Sequence, residues 1–165
     1  MPIRSRTSPR RAAEPPPPAY RLGGDLLDLN VWLALVVEGH SHHELARRYW
    51  RTEGASVHAI HFCRVTMLGF LRLLTQPKLM GSAACSAPEA AERYLSLLSL
   101  PEIEMTPEPA DCEDILLGYV RQPWFVPRLW TDAYLAAFAV SGGLRLVTFD
   151  TDFARFGELQ RLHLA

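Results

Sequence analysis

The sequence predicts a three-layer α/β fold with a mainly parallel central sheet flanked by helices. Short apolar runs alternate along the chain with segments of helical periodicity, which is the pattern of a doubly wound sheet. Two of the apolar runs stop at an aspartate, Asp28 near the start and Asp150 near the end. The chain has 165 residues and 48% hydrophobic content, enough for one domain with a sizeable core.

Five short apolar segments are the predicted strands. The first is a short, mostly apolar run that indicates a buried strand leading into the first helix, and the second alternates between apolar and polar residues. The predicted strands are residues 26–29, 57–62, a brief strand around Ile103, residues 144–148 and an edge strand at 161–164.

Helical spacing of apolar residues marks the connections between these strands. Ser41 is a candidate N-cap with Glu44 three residues later, the spacing of a capping box. Pro88 suits a first helical position, and Gly142 with Gly143 ends the strongest helix. We predict helices at residues 31–37, 41–52, 66–75, 88–100, 111–120 and 131–141, and a helical turn at 153–156.

The first 22 residues differ in composition from the rest. They hold a run of four prolines at residues 15–18, five arginines and one glutamate, with almost no apolar periodicity. We expect residues 1–22 to be a disordered or extended tail and residues 23–165 to be the folded domain.

Charge and cysteine content restrict the class of protein. Residues 23–165 carry 12 basic and 17 acidic side chains, a net charge of −5, which argues against broad nucleic-acid binding by the overall field. A nucleic-acid partner would be held through metal ions, a local patch or the tail.

The three cysteines have no paired spacing for a disulfide or zinc site, and no apolar run has membrane-spanning length, so we expect a cytoplasmic protein with no membrane partner.

Three aspartates are expected to meet at one edge of the sheet. Asp28 lies at the end of the first strand, Asp132 lies in the first turn of its helix, and Asp150 follows a late strand. Ligands of doubly wound sheets bind at the carboxyl ends of the strands, where the strand order reverses. Carboxylates gathered there suit Mg²⁺ or Mn²⁺, which can activate a water for hydrolysis of a phosphodiester.

Each acid also has a purely structural interpretation. Asp132 could stabilise a helix N-terminus, Asp152 could cap the turn at residues 153–156, and Asp28 could belong to a polar turn. For Asp132 the two interpretations weigh equally. The structural one is favoured for Asp152, and the functional one for Asp28 and Asp150.

Five segments in order along the chain resemble the PIN-domain ribonucleases, and specifically the VapC-type toxins of bacterial type II toxin–antitoxin pairs. They are LLDLNV (26–31), HHELA (42–46), TMLGFLRLLTQP (66–77), TDAYLAA (131–137) and TFDTDF (148–153). The resemblance implies a PIN-like fold, endoribonuclease activity dependent on Mg²⁺ or Mn²⁺, a homodimer, and inhibition by a small antitoxin that docks over the acidic cleft.

Site residues follow from the same resemblance. It implies that Asp28, Asp132 and Asp150 are the catalytic metal ligands, directly or through water. It gives auxiliary roles to three further residues, Asp152 as an acid and Thr148 and Asn30 as orienting polar groups. Arg72 lies in a matched segment and is the predicted contact to the RNA backbone.

One departure from the family pattern bears on activity. The family usually supplies a further carboxylate around the start of the helix after the second strand, and residues 63–74 contain no acid. The alternative function is therefore a catalytically weak or degenerate module that binds RNA or an antitoxin without cutting. A haloacid-dehalogenase phosphatase is disfavoured because Asn30 stands where it needs an acid, and a receiver domain because the only lysine is Lys78.

Overall fold

The computed structural model describes residues 23–54 and 59–165. The predicted tail at residues 1–22 lies outside the described residues, as do Val57 and His58 at the predicted start of the second strand. No helix in the described part is both long and apolar enough to cross a bilayer.

The core of the fold is a five-stranded sheet in which every neighbouring pair is parallel. The strand order is β3-β2-β1-β4-β5, so β1 is central. The mainly parallel sheet predicted from the sequence is confirmed. Its strands are β1 (Asp25–Leu27), β2 (Ile60–Phe62), β3 (Ile103–Met105), β4 (Arg145–Thr148) and β5 (Arg161–His163).

Seven α-helices connect these strands in the described residues. The longest, α5 and α7, have 12 residues each. Short 3₁₀ turns at Gly81–Ala83, Pro127–Leu129 and Thr151–Arg155 complete the connections. The helices are α1 (Leu29–Val36), α2 (His43–Arg51), α3 (Arg64–Leu74), α4 (Pro77–Met80), α5 (Ala87–Leu98), α6 (Cys112–Val120) and α7 (Trp130–Ser141).

Helices cover both faces of the sheet and give two hydrophobic cores. Successive residues of a strand face opposite sides. Leu26 and Leu146 accordingly pack with α6 and α7, whereas Leu27 and Val147 pack with α1, α2, α3 and α5. The three layers predicted from the sequence are therefore present.

The predicted start of α2 at Ser41 is wrong. Hydrogen bonds from the His40 amide to the Val37 carbonyl and from the His43 amide to the His40 carbonyl keep Ser41 within a turn. The helix begins at His43, and His42, at the N-cap, makes no side-chain capping bond. A helix N-cap with a working capping box does occur at Ser86, whose hydroxyl accepts from the Glu89 amide.

The strand order reverses between β1 and β4. From β1 the chain continues to β2 and β3 on one side, and β4 and β5 lie on the other. Helix α7 leads into β4 and so runs back across the sheet, which puts its N-terminus at the carboxyl edge of the strands. The residues after β1 and β4 and the first turn of α7 thus share one crevice.

Candidate active site

Asp28 is fixed between the end of β1 and the start of α1. It is the N-cap of α1: one carboxylate oxygen accepts from the Leu29 amide at 2.6 Å, and the other accepts from the Thr148 hydroxyl at 2.7 Å. Its own amide donates to the Val147 carbonyl of β4. Only 9% of the residue is exposed, so the carboxylate is held in one orientation at the crevice.

The Thr148 hydroxyl connects the residues that follow both strands. While it donates to Asp28, it accepts from the Asp150 amide at 2.9 Å and from the Asn30 side-chain amide at 3.3 Å. The side-chain Oδ1 of Asn30 accepts in turn from the Phe149 backbone amide at 3.4 Å. Thr148 and Asn30, predicted as orienting groups, therefore contact the ends of β1 and β4; their part in catalysis stays a prediction.

Asp150 caps the 3₁₀ turn at Thr151–Arg155. Its Oδ1 accepts from the Asp152 amide at 2.7 Å, which leaves Oδ2 available to a ligand. The favoured interpretation of Asp152, as the cap of this turn, is wrong, because the turn begins two residues earlier than predicted and Asp150 is its N-cap. Asp150 thus has both a local structural role and a place at the crevice.

Asp132 lies half-buried in the first turn of α7, and its charge acts on Asp28. Burial, followed by the charges of Asp132 and Asp150, raises the pKa of Asp28 to about 6, against the opposing hydrogen bonds from Thr148 and Leu29. Burial, followed by the charges of Asp150 and Asp152, also raises the pKa of Asp132. The structure therefore brings the three predicted acids into one electrostatic unit, and the charges of Arg128 and Arg155 oppose only part of the rise in the pKa of Asp132.

The donor set fits a hard, hydrated cation. Among residues 23–54 and 59–165, no three His, Cys, Asp or Glu side chains lie close enough to hold one ion directly. Mg²⁺ keeps several waters and is commonly bound through one or two carboxylates. Asp28, Asp132 and Asp150 suit that mode, with some of the contacts made through water.

Asp152 is held by two arginines. Its Oδ2 accepts from Arg128 Nη1 at 2.5 Å and its Oδ1 from Arg155 Nη2 at 2.7 Å. The hydrogen bonds from Arg128 and Arg155 hold its pKa below the ordinary value. Neither arginine was predicted from the sequence. Arg155 lies three residues after Asp152 in the same turn, so this ion pair could have been inferred from the spacing. Arg128 is 24 residues from Asp152 in the sequence, so that ion pair could not.

Helix α3 contributes no carboxylate to the crevice. Gly69 stands where α3 approaches α1, and a Cβ there would lie 2.7 Å from Leu29 Cδ2. Arg72 is exposed in the last turn of α3, whose first turn follows β2 at the carboxyl edge. Arg72 lies about 12 Å along the helix axis from Arg64, the residue that begins α3 at the carboxyl edge. The structure therefore does not group Arg72 with the acids. Its contact with substrate stays a prediction.

Sequence comparisons relate the chain to known ribonucleases. The PIN-domain family model matches residues 26–159. Ribonuclease VapC41 of Mycobacterium tuberculosis is 39% identical over 144 residues, covering 85% of this chain and 98% of the relative. Ribonuclease VapC44 of the same organism is 34% identical over 132 residues, covering 78% of this chain and 87% of the relative.

Structural comparisons support the same fold. The crystal structure of VapBC2 from Rickettsia felis, bound to a DNA fragment from its promoter, matches with a TM-score of 0.65 at 14% identity, covering 86% of this chain and 99% of that one. The sarcin–ricin loop-cleaving toxin VapC20 of M. tuberculosis matches with a TM-score of 0.60 at 21% identity, covering 82% and 98%. Together with the family match and the 39% identity, these results show that the chain belongs to the PIN-domain family and is a relative of the VapC ribonucleases.

Proposed function

We propose that the protein is a metal-dependent endoribonuclease that hydrolyses RNA phosphodiester bonds and acts as the toxin of a toxin–antitoxin pair. The observation that carries the proposal is the meeting of Asp28, Asp132 and Asp150 at the reversal of strand order, with the pKa of Asp28 raised by burial and by the other two acids. The named activity of the VapC relatives supports RNA as the substrate.

The three acids would hold Mg²⁺ or Mn²⁺, directly or through water. When bound, such an ion supplies positive charge against the phosphate and lowers the pKa of a water that can attack phosphorus. The chain's own contribution is orientation: the Leu29 amide and the Thr148 hydroxyl fix Asp28, and the same hydroxyl fixes the backbone at Asp150. Carboxylate oxygens that accept one hydrogen bond keep a further lone pair for a ligand.

Removal of the acids tests the proposal. Purified wild type, Asp28→Asn and Asp150→Asn would be incubated with total tRNA and ribosomal RNA, in Mg²⁺ and in EDTA. We expect cleavage by the wild type in Mg²⁺ alone, and a loss of at least about 100-fold in each variant, because the metal contributes several kcal/mol to such reactions. Asp114→Asn is the matched control, since Asp114 is an exposed acid on α6.

A binding module without cleavage is the second candidate function. It is favoured by one observation, the absence of any acid on α3, where Gly69 packs against Leu29. RNA binding by a wild type that cleaves nothing in Mg²⁺ or Mn²⁺ would support this module and contradict the nuclease. Cleavage that depends on Asp28 and Asp150 would exclude it.

A small antitoxin and a second copy of the chain are the proposed protein partners. The match to the VapBC2 structure supports an antitoxin, which would cover the acidic crevice. The homodimer is proposed from the resemblance to the family, and Leu68 on α3 and Leu79 on α4 are exposed apolar side chains that such a contact could cover. Co-expression with a small protein encoded alongside, followed by light scattering, tests both: we expect a co-purified complex and a dimeric mass for the chain alone.

A further inference from the structure

The two arginines around Asp152 are not equivalent. Arg155 lies in the same 3₁₀ turn, and besides its ion pair it donates from Nε to the Asp152 carbonyl at 3.0 Å. Arg128 comes from the turn before α7 and contacts Asp152 through Nη1 alone among the described residues. The Arg128 side chain is 65% exposed, against 27% for Arg155. Arg155 therefore suffices to neutralise Asp152, whereas the remaining N–H groups of Arg128 are available to a ligand.

Arg128 also stands at the rim of the crevice. Its hydrogen bond to Asp152, followed by the charges of Asp152, Asp132 and Asp150, raises its pKa. The charge of Arg128 in turn opposes the rise in the pKa of Asp132. Arg128 also lies in the turn directly before α7, and its hydrogen bond holds it beside Asp152, two residues after Asp150, so its exposed guanidinium faces the same side of the molecule as the three acids.

We propose that Arg128 binds a backbone phosphate of the RNA at the rim of the crevice, exchanging its contact with Asp152 for that phosphate. This inference rests on the proposed function. A phosphodiester chain that approaches Asp28, Asp132 and Asp150 is repelled, and a guanidinium fork matches two phosphate oxygens. The exchange is feasible because an exposed ion pair contributes little to stability, and Arg155 continues to balance Asp152.

Salt-dependent RNA binding tests the contact. All variants would be made in the Asp28→Asn background so that no RNA is cut, and the probe is a fluorescent single-stranded RNA of mixed sequence. Arg128→Gln should weaken binding about fivefold to tenfold and reduce the salt slope of log K by about 0.7, the value for one phosphate contact in a single strand. Arg128→Lys, which keeps the charge, should recover part of the affinity.

Two further variants separate contact from structure. Arg161→Gln removes an exposed arginine at the start of β5, at the opposite edge of the sheet, and should leave the salt slope unchanged. Asp152→Asn removes the partner of Arg128 while keeping the arginine, so its affinity should equal or exceed that of the parent. Melting temperatures check that each variant is folded.

The outcomes are distinguishable from failure of the proposed function. If the wild type cleaves RNA but Arg128→Gln binds with the affinity and salt slope of Arg161→Gln, the inference about Arg128 is wrong and the nuclease proposal stands. A loss of binding in Asp152→Asn as large as in Arg128→Gln would assign the effect to the ion pair and also overturn it. Absence of both cleavage and binding in the wild type would remove both proposals.

Discussion

At the scale of single residues, the Thr148 hydroxyl connects the groups on which the site depends. It is fully buried, donates to Asp28 and accepts from the Asp150 amide and the Asn30 side chain. One hydroxyl therefore sets the relative position of two acids that lie far apart in the sequence. A side chain of the same shape without the oxygen would leave three polar groups without this partner.

Thr148→Val should destabilise the protein by about 1–3 kcal/mol, the cost of leaving buried polar groups unsatisfied. We also expect RNA cleavage to fall by at least tenfold, since Asp28 would lose one of the two bonds that orient it. Urea unfolding and cleavage rates measure the two effects. Thr148→Ser keeps the hydroxyl and serves as control; equal behaviour of the two variants would contradict the role of the hydroxyl.

The raised pKa of Asp28 predicts how stability depends on pH in the metal-free protein. Because the pKa rises from an ordinary value of 3.8 to about 6 on folding, the folded state binds the proton more tightly than the unfolded state. Stability is therefore greatest below pH 4 as far as this group is concerned, and it decreases as pH rises through about 6. The loss is up to about 3 kcal/mol.

Asp28→Asn should remove that dependence. In EDTA, the unfolding free energy of the variant minus that of the wild type should increase between pH 4 and pH 7, because the amide does not ionise. Urea unfolding across this range measures the difference, with Asp114→Asn as a control whose difference stays flat. A difference for Asp28→Asn that is independent of pH would show that the carboxyl titrates normally.

At the scale of elements, a polar cluster fastens β1, β4 and α2 at the edge of the sheet opposite the site. Arg145 of β4 donates from Nε and Nη2 to the two carboxylate oxygens of Asp25 in β1, each at 2.8 Å. Tyr49 of α2 donates to the same carboxylate at 2.7 Å, and Asp25 is 1% exposed. The cluster sets the register of the two strands whose other ends carry Asp28 and Asp150.

Asp25→Ala should cost about 3–5 kcal/mol of stability, because it leaves a largely buried guanidinium without its fork partner. Glu53→Gln is the matched control: Glu53 also pairs with Arg145, at 3.1 Å, but its side chain is 49% exposed, and the loss should stay below about 1 kcal/mol. Chemical denaturation compares the two. Similar losses of stability in both variants would show that the buried Asp25–Arg145 pair contributes no more than the exposed Glu53–Arg145 pair.

At the scale of the whole molecule, the carboxylates of Asp28, Asp132 and Asp150 leave the crevice with too little positive charge, which a bound cation would supply. The wild type should gain about 2.7 kcal/mol of stability at a Mg²⁺ concentration one hundred times its dissociation constant. Thermal unfolding with and without MgCl₂ measures the gain. Asp150→Asn should gain much less, and Asp114→Asn as much as the wild type; an equal gain in all three would place the ion elsewhere.

The sequence was sufficient for the order of the five strands, but α4 (Pro77–Met80) was not predicted, and the roles of the three acids stay a prediction. Apolar runs and helical spacing are local, so all five strands were predicted, and parallel strands necessarily bring Asp28 and Asp150 to one edge. Two of the ion-pair partners were not predictable in this way: Arg128 of Asp152 and Arg145 of Asp25 come from distant segments, and only the packed structure selects them. The start of α2 was missed because backbone bonds of the preceding turn outweighed the preference of serine for an N-cap.

The central place of β1 has a consequence for synthesis of the protein. Asp28 leaves the ribosome before its partner Thr148, which follows 120 residues later. A nascent chain therefore has no assembled crevice until β4 and the turn after it have emerged and docked beside β1. The proposed nuclease would therefore depend on folding of the whole segment from β1 to the turn after β4, and RNA cleavage is expected only once that segment has been synthesised.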